Sequence, residues 1–389
     1  MVKLSYITEP ILGYFLLVFS YLIPRNKRKI LFGCKTGFMD NPKHLFLQLY
    51  SEKRIKCIWI ANNHTENELL RNKGYRSYYK FSLKGLYHCL TGKYYVYSHY
   101  SSDINYWTSG NVRKIMLWHG VGIKKIGIRL EKKQKIKRIL FPYQFEKPYI
   151  FLATSPMMKA HFMKYLHIPE ENICIATYPR NNIFNRNKNE LMSMIKDFDN
   201  NLYSIINPLN IESHKVYLYM PTFREANNDF IAASKIDFNR LNNALEEKKS
   251  YLFIKLHPFT KMDKSLAINR NNIIFLNGKM DIYPFLPFVH TLITDYSSIY
   301  FDFILMKNKS VILFPFDYNE YLTSCRDLAY NYEEFTPGKK CINFEDLLLT
   351  ISQENASSTE EEEIIKIKQK FWSSNKSFAD FFIHKVLSI

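Results

Sequence analysis

Several common signatures of function are missing from this chain of 389 residues. Its six cysteines, at positions 34, 57, 89, 174, 325 and 341, form no C-x-x-C pair and lie beside no histidine cluster. This spacing predicts neither a zinc site nor a disulfide framework, and it favours a reducing cytosol. The sequence also lacks G-x-x-x-x-G-K-[ST] and G-x-G-x-x-G, which argues against P-loop and dinucleotide-binding sites.

A membrane-spanning run is missing near the N-terminus. The apolar stretch 11–23 is shorter than the roughly 20 residues that a spanning helix needs, and Glu9 and Pro10 limit its extension upstream. Its basic residues, 25–29, follow the apolar run, whereas a signal peptide carries its charges first. We predict that residues 1–28 form a membrane-associating segment at the bilayer interface. A buried first helix of the domain is the alternative.

Acidic residues are few relative to basic ones. The chain has 54 Lys and Arg against 36 Asp and Glu, a formal charge of +18, so an anionic partner is expected. Nucleic acid, an acidic membrane face and a phosphorylated substrate all fit this charge. Because no nucleic-acid-binding module is recognisable, we predict no nucleic-acid partner.

One basic stretch, 124–138, interleaves its cations with isoleucine, leucine and phenylalanine. This composition is typical of a helix on an anionic bilayer, where each cation contributes on the order of 1 kcal/mol. An ordinary solvated helix face is the alternative. The residues predicted to contact the membrane are Lys132, Lys133, Lys135, Lys137 and Arg138.

Strand-like runs alternate with helix-like stretches along the whole chain, which indicates an α/β fold with parallel sheets. The alternation pauses at 181–215, where Asn and Lys are dense. We predict a GT-B-like architecture, with two doubly wound Rossmann-like domains facing a central cleft. The predicted domains are 29–195 and 196–389, with a boundary inside 183–213.

Polar side chains end three of these strand-like runs. His119 follows one run, His257 follows another, and Ser297 and Ser298 follow a third. Ligands of open parallel sheets bind beyond the carboxyl ends of the strands, so these residues predict a site that receives an anion.

His119 precedes Gly120, so the backbone there can approach a ligand closely and the imidazole can act as a general base. A structural histidine is the alternative. His257 could donate to a phosphate oxygen, or it could bond a carbonyl at a strand end. Ser297 and Ser298 could bind a phosphate with the N–H groups of the following helix, or they could only cap that helix.

Three other residues near these strand ends carry charge. We expect Asp295 to orient a hydroxyl or a histidine rather than hold a metal. Arg180 and Arg224 each follow a strand and a proline, where they could clamp a pyrophosphate or fix an acceptor phosphate. A solvated arginine at a loop edge is the alternative for each.

Five motifs in order resemble those of the CDP-glycerol glycerophosphotransferases of teichoic-acid synthesis, the TagB/TagF type. They are Trp118-His119-Gly120 with Lys124-Lys125, Tyr178-Pro179-Arg180-Asn181, Pro221-Thr222-Phe223-Arg224, Lys255-Leu256-His257-Pro258, and Thr294-Asp295-Tyr296-Ser297-Ser298 with Phe301-Asp302. The resemblance implies a GT-B enzyme on the cytoplasmic face of the bacterial membrane, bound peripherally. It would transfer glycerol phosphate from CDP-glycerol, or a related CDP-polyol, to a hydroxyl of an undecaprenyl-diphosphate-linked glycan or polyol phosphate, and release CMP. The polymer would be teichoic acid or a related surface polymer such as a capsule.

The resemblance also implies residue roles. His119 would be the catalytic base and His257 the partner of the donor phosphates. The other donor-binding residues would be Arg224, Pro258, Thr294, Asp295, Ser297 and Ser298. Acceptor-positioning residues would be Gly120, Lys124, Lys125, Arg180 and Asn181. No metal or other cofactor is predicted, and a stimulation by Mg²⁺ is left open.

Three alternative functions share parts of this pattern. A ribitolphosphotransferase would use CDP-ribitol. A GT-B sialyltransferase would use CMP-sialic acid, but the acidic base motif expected of it is missing from the sequence. A membrane-bound scaffold with a decayed site is disfavoured because all five motifs keep their functional side chains.

Overall fold

The computed structural model of the chain describes residues 5–127, 135–224, 230–257, 260, 270–325, 327–353 and 358–387. The chain divides into two compact units. Unit 1 contains Met1–His119, Ile126–Asn182 and Trp372–Ile389, and unit 2 contains Gly120–Lys125 and Ile183–Phe371.

Unit 1 is a seven-stranded parallel sheet with the strand order β3-β2-β1-β4-β5-β6-β7. Its strands are β1 (Asn26–Phe32), β2 (Lys56–Ala61), β3 (Ser77–Tyr79), β4 (Gly92–Tyr97), β5 (Arg113–Met116), β6 (Ile150–Ala153) and β7 (Ile173–Ile175). The helices between them are α1 (Ser5–Ser20), α2 (Asp40–Leu49), α3 (His64–Asn72), α4 (Leu83–Thr91), α5 (Lys135–Leu140) and α6 (Pro156–Leu166). Almost every residue in the middle of the sheet is apolar and buried, as a sheet covered on both faces requires.

Unit 2 is a six-stranded parallel sheet with the order β10-β9-β8-β11-β12-β13. Its strands are β8 (Lys215–Tyr219), β9 (Ser250–Lys255), β10 (Ile273–Leu276), β11 (Thr291–Thr294), β12 (Ser310–Leu313) and β13 (Lys339–Lys340). Its helices are α7 (Lys188–Phe198), α8 (Asn200–Ile206), α9 (Phe230–Ala233), α10 (Phe238–Glu247), α11 (Ile299–Phe303), α12 (Tyr318–Ser324), α13 (Tyr332–Phe335), α14 (Phe344–Gln353) and α15 (Ser358–Phe371). The chain then returns to unit 1, where α16 (Phe378–Phe381) and a π-helical turn, Phe382–Val386, end the described part.

Both units reverse their strand order once, between β1 and β4 in unit 1 and between β8 and β11 in unit 2. In doubly wound sheets ligands bind at this switch point, beyond the carboxyl ends of the strands. The α/β class and the two doubly wound sheets predicted from the sequence are confirmed.

The boundaries differ from the predicted ones in three places. The main crossing lies at Asn182–Ile183 rather than at 195–196, and Gly120–Lys125 belongs to unit 2. The segment Trp372–Ile389 packs in unit 1, where the Tyr94 hydroxyl donates to the Val386 carbonyl at 3.1 Å. The assignment of these segments to a unit depends on contacts between residues far apart in the sequence, and the hydrophobic periodicity of the sequence does not reveal such contacts.

The first helix is also longer than expected. α1 begins at Ser5, upstream of Glu9 and Pro10, and Pro10 lies inside it. A proline so near the first turn removes only one backbone hydrogen bond, and Pro10 is buried, so the helix continues through it. Among the described residues, none of the helices combines the length and apolar character needed to cross a bilayer.

Candidate active site

In unit 1, His119 stands just beyond β5 on a tightly held turn. Its neighbour Trp118 has a φ of 58°, a left-handed conformation that is costly for a bulky residue. The buried Asn41 side chain holds this turn, since its amide donates to the Trp118 carbonyl at 3.0 Å and reaches the Leu117 carbonyl at 3.5 Å. Such strain, of order 1–3 kcal/mol, persists where the surroundings fix it and is common at functional sites. The turn leaves His119 exposed.

Arg180 holds the backbone of His119. Arg180 Nη1 donates to the His119 carbonyl oxygen at 2.9 Å and to Asp40 Oδ1 at 2.6 Å. The Asp40 carboxylate also accepts from the Ser98 hydroxyl at 2.7 Å. Burial would raise the pKa of Asp40, but the charge of Arg180 and the Ser98 hydrogen bond lower it, so the carboxylate stays ionised.

The phosphate clamp predicted at Arg180 stays a prediction. In the structure its guanidinium is only 2% exposed, pairs with Asp40 and holds the His119 carbonyl. Asn181, the residue after Arg180, differs in its hydrogen bonding. Within the described part of the chain, neither the nitrogen nor the oxygen of its side-chain amide has a hydrogen-bond partner, although both are shielded from solvent. Leaving such a group unpaired costs about 1–3 kcal/mol, which suits a side chain that receives a polar ligand.

A second histidine lies against the first. The rings of His99 and His119 stack with their centroids 4.3 Å apart and their planes 13° apart. Although His119 is exposed, the crowding of protein around its ring, together with the charge of His99, lowers its pKa well below the ordinary value; Asp40 opposes this shift. His119 is therefore neutral near pH 7, the form that can accept a proton.

In unit 2, His257 lies just after β9 and is exposed. Its ring packs on Phe223, with centroids 4.9 Å apart. Desolvation and the positive charges of Lys255 and Lys124 lower the pKa of His257. The neighbouring Pro258 lies outside the described residues, so its predicted role stays a prediction.

The loop Gly120–Lys125 and the paired serines come together in unit 2. A Cβ placed on Gly122 would be 3.7 Å from Ser298 Cβ and from the Phe301 ring. Lys124 Nζ donates to Thr222 Oγ1 at 3.2 Å. Ser297 and Ser298 are partly exposed, and the Ser298 side chain does not cap α11. These residues place hydroxyls and a cation near the switch point of the second sheet.

Gly120, Lys124 and Lys125 were predicted to position the acceptor beside His119. The structure assigns all three to unit 2, because their loop pairs with the segment before α13. Lys125 N donates to the Asp327 carbonyl at 3.0 Å, and its Nζ contacts the Asp327 carboxylate at 2.9 Å. Lys124 bridges to Leu328.

Three predicted donor-binding residues are buried in a structural network. Arg224, 1% exposed, pairs with Asp295 at 2.8 Å and Asp317 at 2.7 Å, and donates to the Thr222 carbonyl at 2.5 Å. Burial would lower the pKa of Arg224, but the two carboxylates raise it. Thr294, fully buried, donates to the Met220 carbonyl at 2.7 Å.

The Asp295 carboxylate is held by groups of the protein itself. It accepts from the backbone N–H groups of Thr222, at 2.9 Å, and Tyr296, at 2.5 Å, as well as from Arg224. The direct ligand contacts predicted for Arg224, Thr294 and Asp295 stay predictions; in the structure these side chains bond to the protein itself. Together they fix the two loops at the β8/β11 switch point.

The two predicted membrane segments meet in unit 1. The Tyr14 hydroxyl on α1 donates to the Ile139 carbonyl on α5 at 3.0 Å. Five apolar residues of α1 at helical spacing are exposed, as are two of α5. They are Ile11, Leu12, Phe15, Val18 and Phe19 on α1, and Ile136 and Ile139 on α5.

The cations predicted for this surface are described only in part. Lys137 and Arg138 lie in the last turn of α5, and the Arg138 guanidinium lies 4.7 Å from the centroid of the Phe145 ring. Lys132, Lys133 and the side chain of Lys135 lie outside the described residues. Their membrane role therefore stays a prediction.

The sequence reading missed four residues around His119: Asp40, Asn41, His99 and Asp103. One signal was available, because His99 follows an apolar, strand-like run of the sequence, 93–98, in the way that His119 follows its own run. Asp40 and Asn41 begin α2 beyond a loop, so only the folded chain shows their contacts. In the described ranges, no group of three or more His, Cys, Asp or Glu residues is arranged to hold a metal ion.

A family model described as CDP-glycerol:poly(glycerophosphate) glycerophosphotransferase matches residues 15–378. The chain is 27% identical, over 82% of its length and 81% of the relative's, to a teichoic acid poly(glycerol phosphate) polymerase of Bacillus spizizenii. It is 25% identical, over 86% of both lengths, to a teichoic acid glycerol-phosphate transferase of Staphylococcus aureus. A teichoic acid ribitol-phosphate primase of B. spizizenii is 26% identical over 69% of this chain and 68% of its own length.

Solved structures agree on the fold. The wall teichoic acid polymerase TagF superposes with a TM-score of 0.75 at 20% identity, over 99% of this chain and 97% of that one. A UDP-GlcNAc 2-epimerase from Neisseria meningitidis superposes with a TM-score of 0.54 at 12% identity, over 93% and 100% of the two chains. The match to TagF shows that its fold is shared along nearly the whole length of this chain.

Proposed function

The chain belongs to the CDP-glycerol:poly(glycerophosphate) glycerophosphotransferase family, and from that membership we propose the reaction that its two sites perform. It is a CDP-glycerol-dependent transferase that moves glycerol phosphate in teichoic acid synthesis. The proposal adds that the acceptor is a hydroxyl of a glycan or polyol phosphate linked to undecaprenyl diphosphate, and that CMP is released. The observation that carries it is the exposed, neutral and firmly positioned imidazole of His119.

His119 takes the proton of the acceptor hydroxyl. The oxygen forms a bond to the β-phosphorus of the donor as the bond from that phosphorus to the CMP oxygen breaks. Phosphoryl transfer depends mainly on positioning and electrostatics, so a base whose carbonyl is held by Arg180, and whose preceding residue is held by Asn41, is well suited to the step. The unpaired amide of Asn181 supplies a polar contact for the acceptor.

Unit 2 binds the donor. His257, Lys124 and the hydroxyls of Ser297 and Ser298 donate to phosphate oxygens, and charge-assisted hydrogen bonds of this kind contribute about 1.5–3 kcal/mol each. Desolvation, and after it the positive charges of Lys255 and Lys124, lower the pKa of His257, and a bound diphosphate would offset those charges. Arg224 and Asp295 hold the loops that carry these groups.

A donor screen tests the proposal. Purified full-length protein and a lipid-linked acceptor are incubated with CDP-glycerol, CDP-ribitol or CMP-sialic acid, and CMP release is measured. We expect release with CDP-glycerol that depends on the acceptor. Preference for CDP-ribitol would support the second candidate, which the similarity to a ribitol-phosphate primase favours. Release only with CMP-sialic acid, or no release with any donor, would overturn the assignment.

We further propose that the protein acts at the cytoplasmic face of the membrane as a peripheral protein. The support is the exposed apolar face shared by α1 and α5, with the cations of the 124–138 stretch nearby in sequence. Vesicle binding should fall steeply with salt, because charges in water are screened beyond about 8 Å at physiological ionic strength. Replacing Lys132, Lys133, Lys135 and Lys137 with Gln should release the protein without unfolding it. Salt-resistant binding would point to a spanning segment, and no binding would contradict the proposal.

A further inference from the structure

His99 occupies the switch point of the first sheet, just beyond β4, and its ring lies flat on that of His119. The centroids are 4.3 Å apart and the planes differ by 13°. A separation this small leaves no room for solvent between the two faces. Any charge on His99 therefore acts on His119 at close range.

The position of His99 is fixed from its other side by a buried carboxylate. Asp103 Oδ2 lies 3.6 Å from His99 Nδ1 and accepts from the His99 backbone N–H at 2.9 Å. Asp103 itself is 2% exposed. Gly33 makes this arrangement possible, because a Cβ there would lie 2.8 Å from the Asp103 carbonyl oxygen.

The charge state of His99 follows from these neighbours. Burial alone would lower its pKa, but the interactions with Asp103 and with Cys34 outweigh burial and raise it. Burial also raises the pKa of the Cys34 thiol, so that group is neutral near pH 7 and Asp103 is the charge that matters there. The raised pKa favours the imidazolium form of His99 near pH 7.

The other charges near His119 come from α2 and from the turn that follows β7. Asp40 favours a proton on His119 and Arg180 disfavours it, but these two are paired with each other at 2.6 Å. Their effects on His119 therefore oppose one another. The imidazolium of His99 is the cation stacked directly on the ring.

We propose that His99 is a positioning residue for the transfer reaction: held as a cation by Asp103, it stacks on His119, orients that ring and keeps it unprotonated. This inference rests on the proposed role of His119 as the base. Its consequence is a base that stays available in mildly acidic conditions, where an ordinary histidine is already protonated.

Three substitutions separate the charge of His99 from its ring. His99→Phe keeps a stacking ring and removes the charge, His99→Arg keeps a charge, and Asp103→Asn removes the carboxylate that holds it. His88→Gln is the matched control, because His88 is a buried histidine of α4 whose ring packs on Tyr78. Two quantities are measured on the full chain: the pKa of His119, from ring resonances of isotope-labelled histidine, and the pH dependence of kcat/KM with CDP-glycerol.

In His99→Phe, we expect the pKa of His119 and the acid limb of kcat/KM to rise together by roughly one to two pH units, the effect of one charge at this separation. Asp103→Asn should shift both in the same direction, and His99→Arg and His88→Gln should leave both near wild type. An unchanged His119 pKa in His99→Phe, or an equal loss of activity at every pH, would overturn the proposal. A shifted pKa without a matching shift of the acid limb would support the stacking effect and overturn the role of His119 as the base.

Discussion

His119 in unit 1 and His257 in unit 2 both follow strands of a doubly wound sheet, yet their surroundings differ in kind. Around His119 the charges are paired and buried, and they hold the backbone and the ring of one residue. At His257 the charges of Lys255 and Lys124 help to lower the pKa, and loops of the same unit offer hydroxyl groups. The first arrangement would fix the proposed proton acceptor in one orientation. The second would provide a positive field, which suits the phosphates of a donor.

The same comparison separates the two arginines that looked alike in the sequence. Arg180 bonds the backbone of His119 itself, whereas Arg224 bonds carboxylates that brace loops. Arg180 therefore supports the proposed base directly, and Arg224 supports the loops of unit 2. Substitutions at the two positions should therefore impair different properties: the rate of transfer for Arg180 and the stability of the fold for Arg224.

The largest effect is expected from Arg224→Met. Removing this cation leaves Asp295 and Asp317 buried without their partner, which typically destabilises a protein by about 3–5 kcal/mol. The free energy of unfolding of the full chain, from urea titration, measures the loss. Arg240→Met is the matched control, because Arg240 pairs with Glu345 in an exposed bidentate bridge. Equal midpoints for the two variants would show that the buried network contributes nothing.

A smaller and more specific loss is expected from Arg180→Lys. Lysine keeps the charge beside Asp40 but lacks the planar fork that also reaches the His119 carbonyl, so the orientation of the base relaxes. We expect kcat to fall by roughly 10–100-fold, because small misplacements of catalytic groups cost that much. Donor affinity, measured by calorimetry, should stay unchanged. A loss of donor affinity instead would place Arg180 in the donor site.

The donor side is tested by His257→Ala and by the double variant Ser297→Ala/Ser298→Ala. Each removes hydrogen bonds to phosphate oxygens, so CDP-glycerol should bind about 10–100-fold more weakly in both. Thr323→Ala, which removes an exposed hydroxyl of α12, is the control. Unchanged affinity in both variants would remove these residues from the donor site.

The smallest effect is a pH dependence of donor binding. The pKa of His257 is lowered in the free protein, so its ring is neutral at pH 7, and a bound diphosphate should raise that pKa. Binding then takes up a proton and becomes tighter as the pH falls below about 6.5. We expect a gain of a few-fold between pH 7 and pH 5.5 that is lost in His257→Gln. The same gain in that variant would assign the proton to another group.

Much of this architecture could be predicted because it depends on local pattern. The strands ending before His119, His257 and Ser297 are short apolar runs closed by polar residues, and each lies where it was expected. The edge strands β3 and β13 were not predicted. They are only three and two residues long, which is too short to show a periodic pattern in the sequence.

The candidate sites show the same difference between features that a local sequence pattern reveals and features that depend on packing. The strand-end positions of His119, His257 and the two serines were recognised from the sequence alone, and their roles stay predictions. The burial of Arg180, Arg224 and Asp295 was not foreseen, because a charged residue at a strand end gives the same sequence pattern whether it faces a ligand or a buried partner. Burial decides between these cases, and it comes from contacts such as Arg180 with Asp40, 140 residues apart.

The division of labour between the two units is tested most directly by one variant, His119→Ala, measured for both transfer and donor binding. With saturating acceptor, we expect kcat to fall by about 100–10,000-fold, the usual contribution of a general base. The dissociation constant for CDP-glycerol, from calorimetry, should stay within about twofold of wild type, since the donor groups proposed here all lie in unit 2. Near-normal turnover, or a loss of donor binding as large as the loss of rate, would contradict the account.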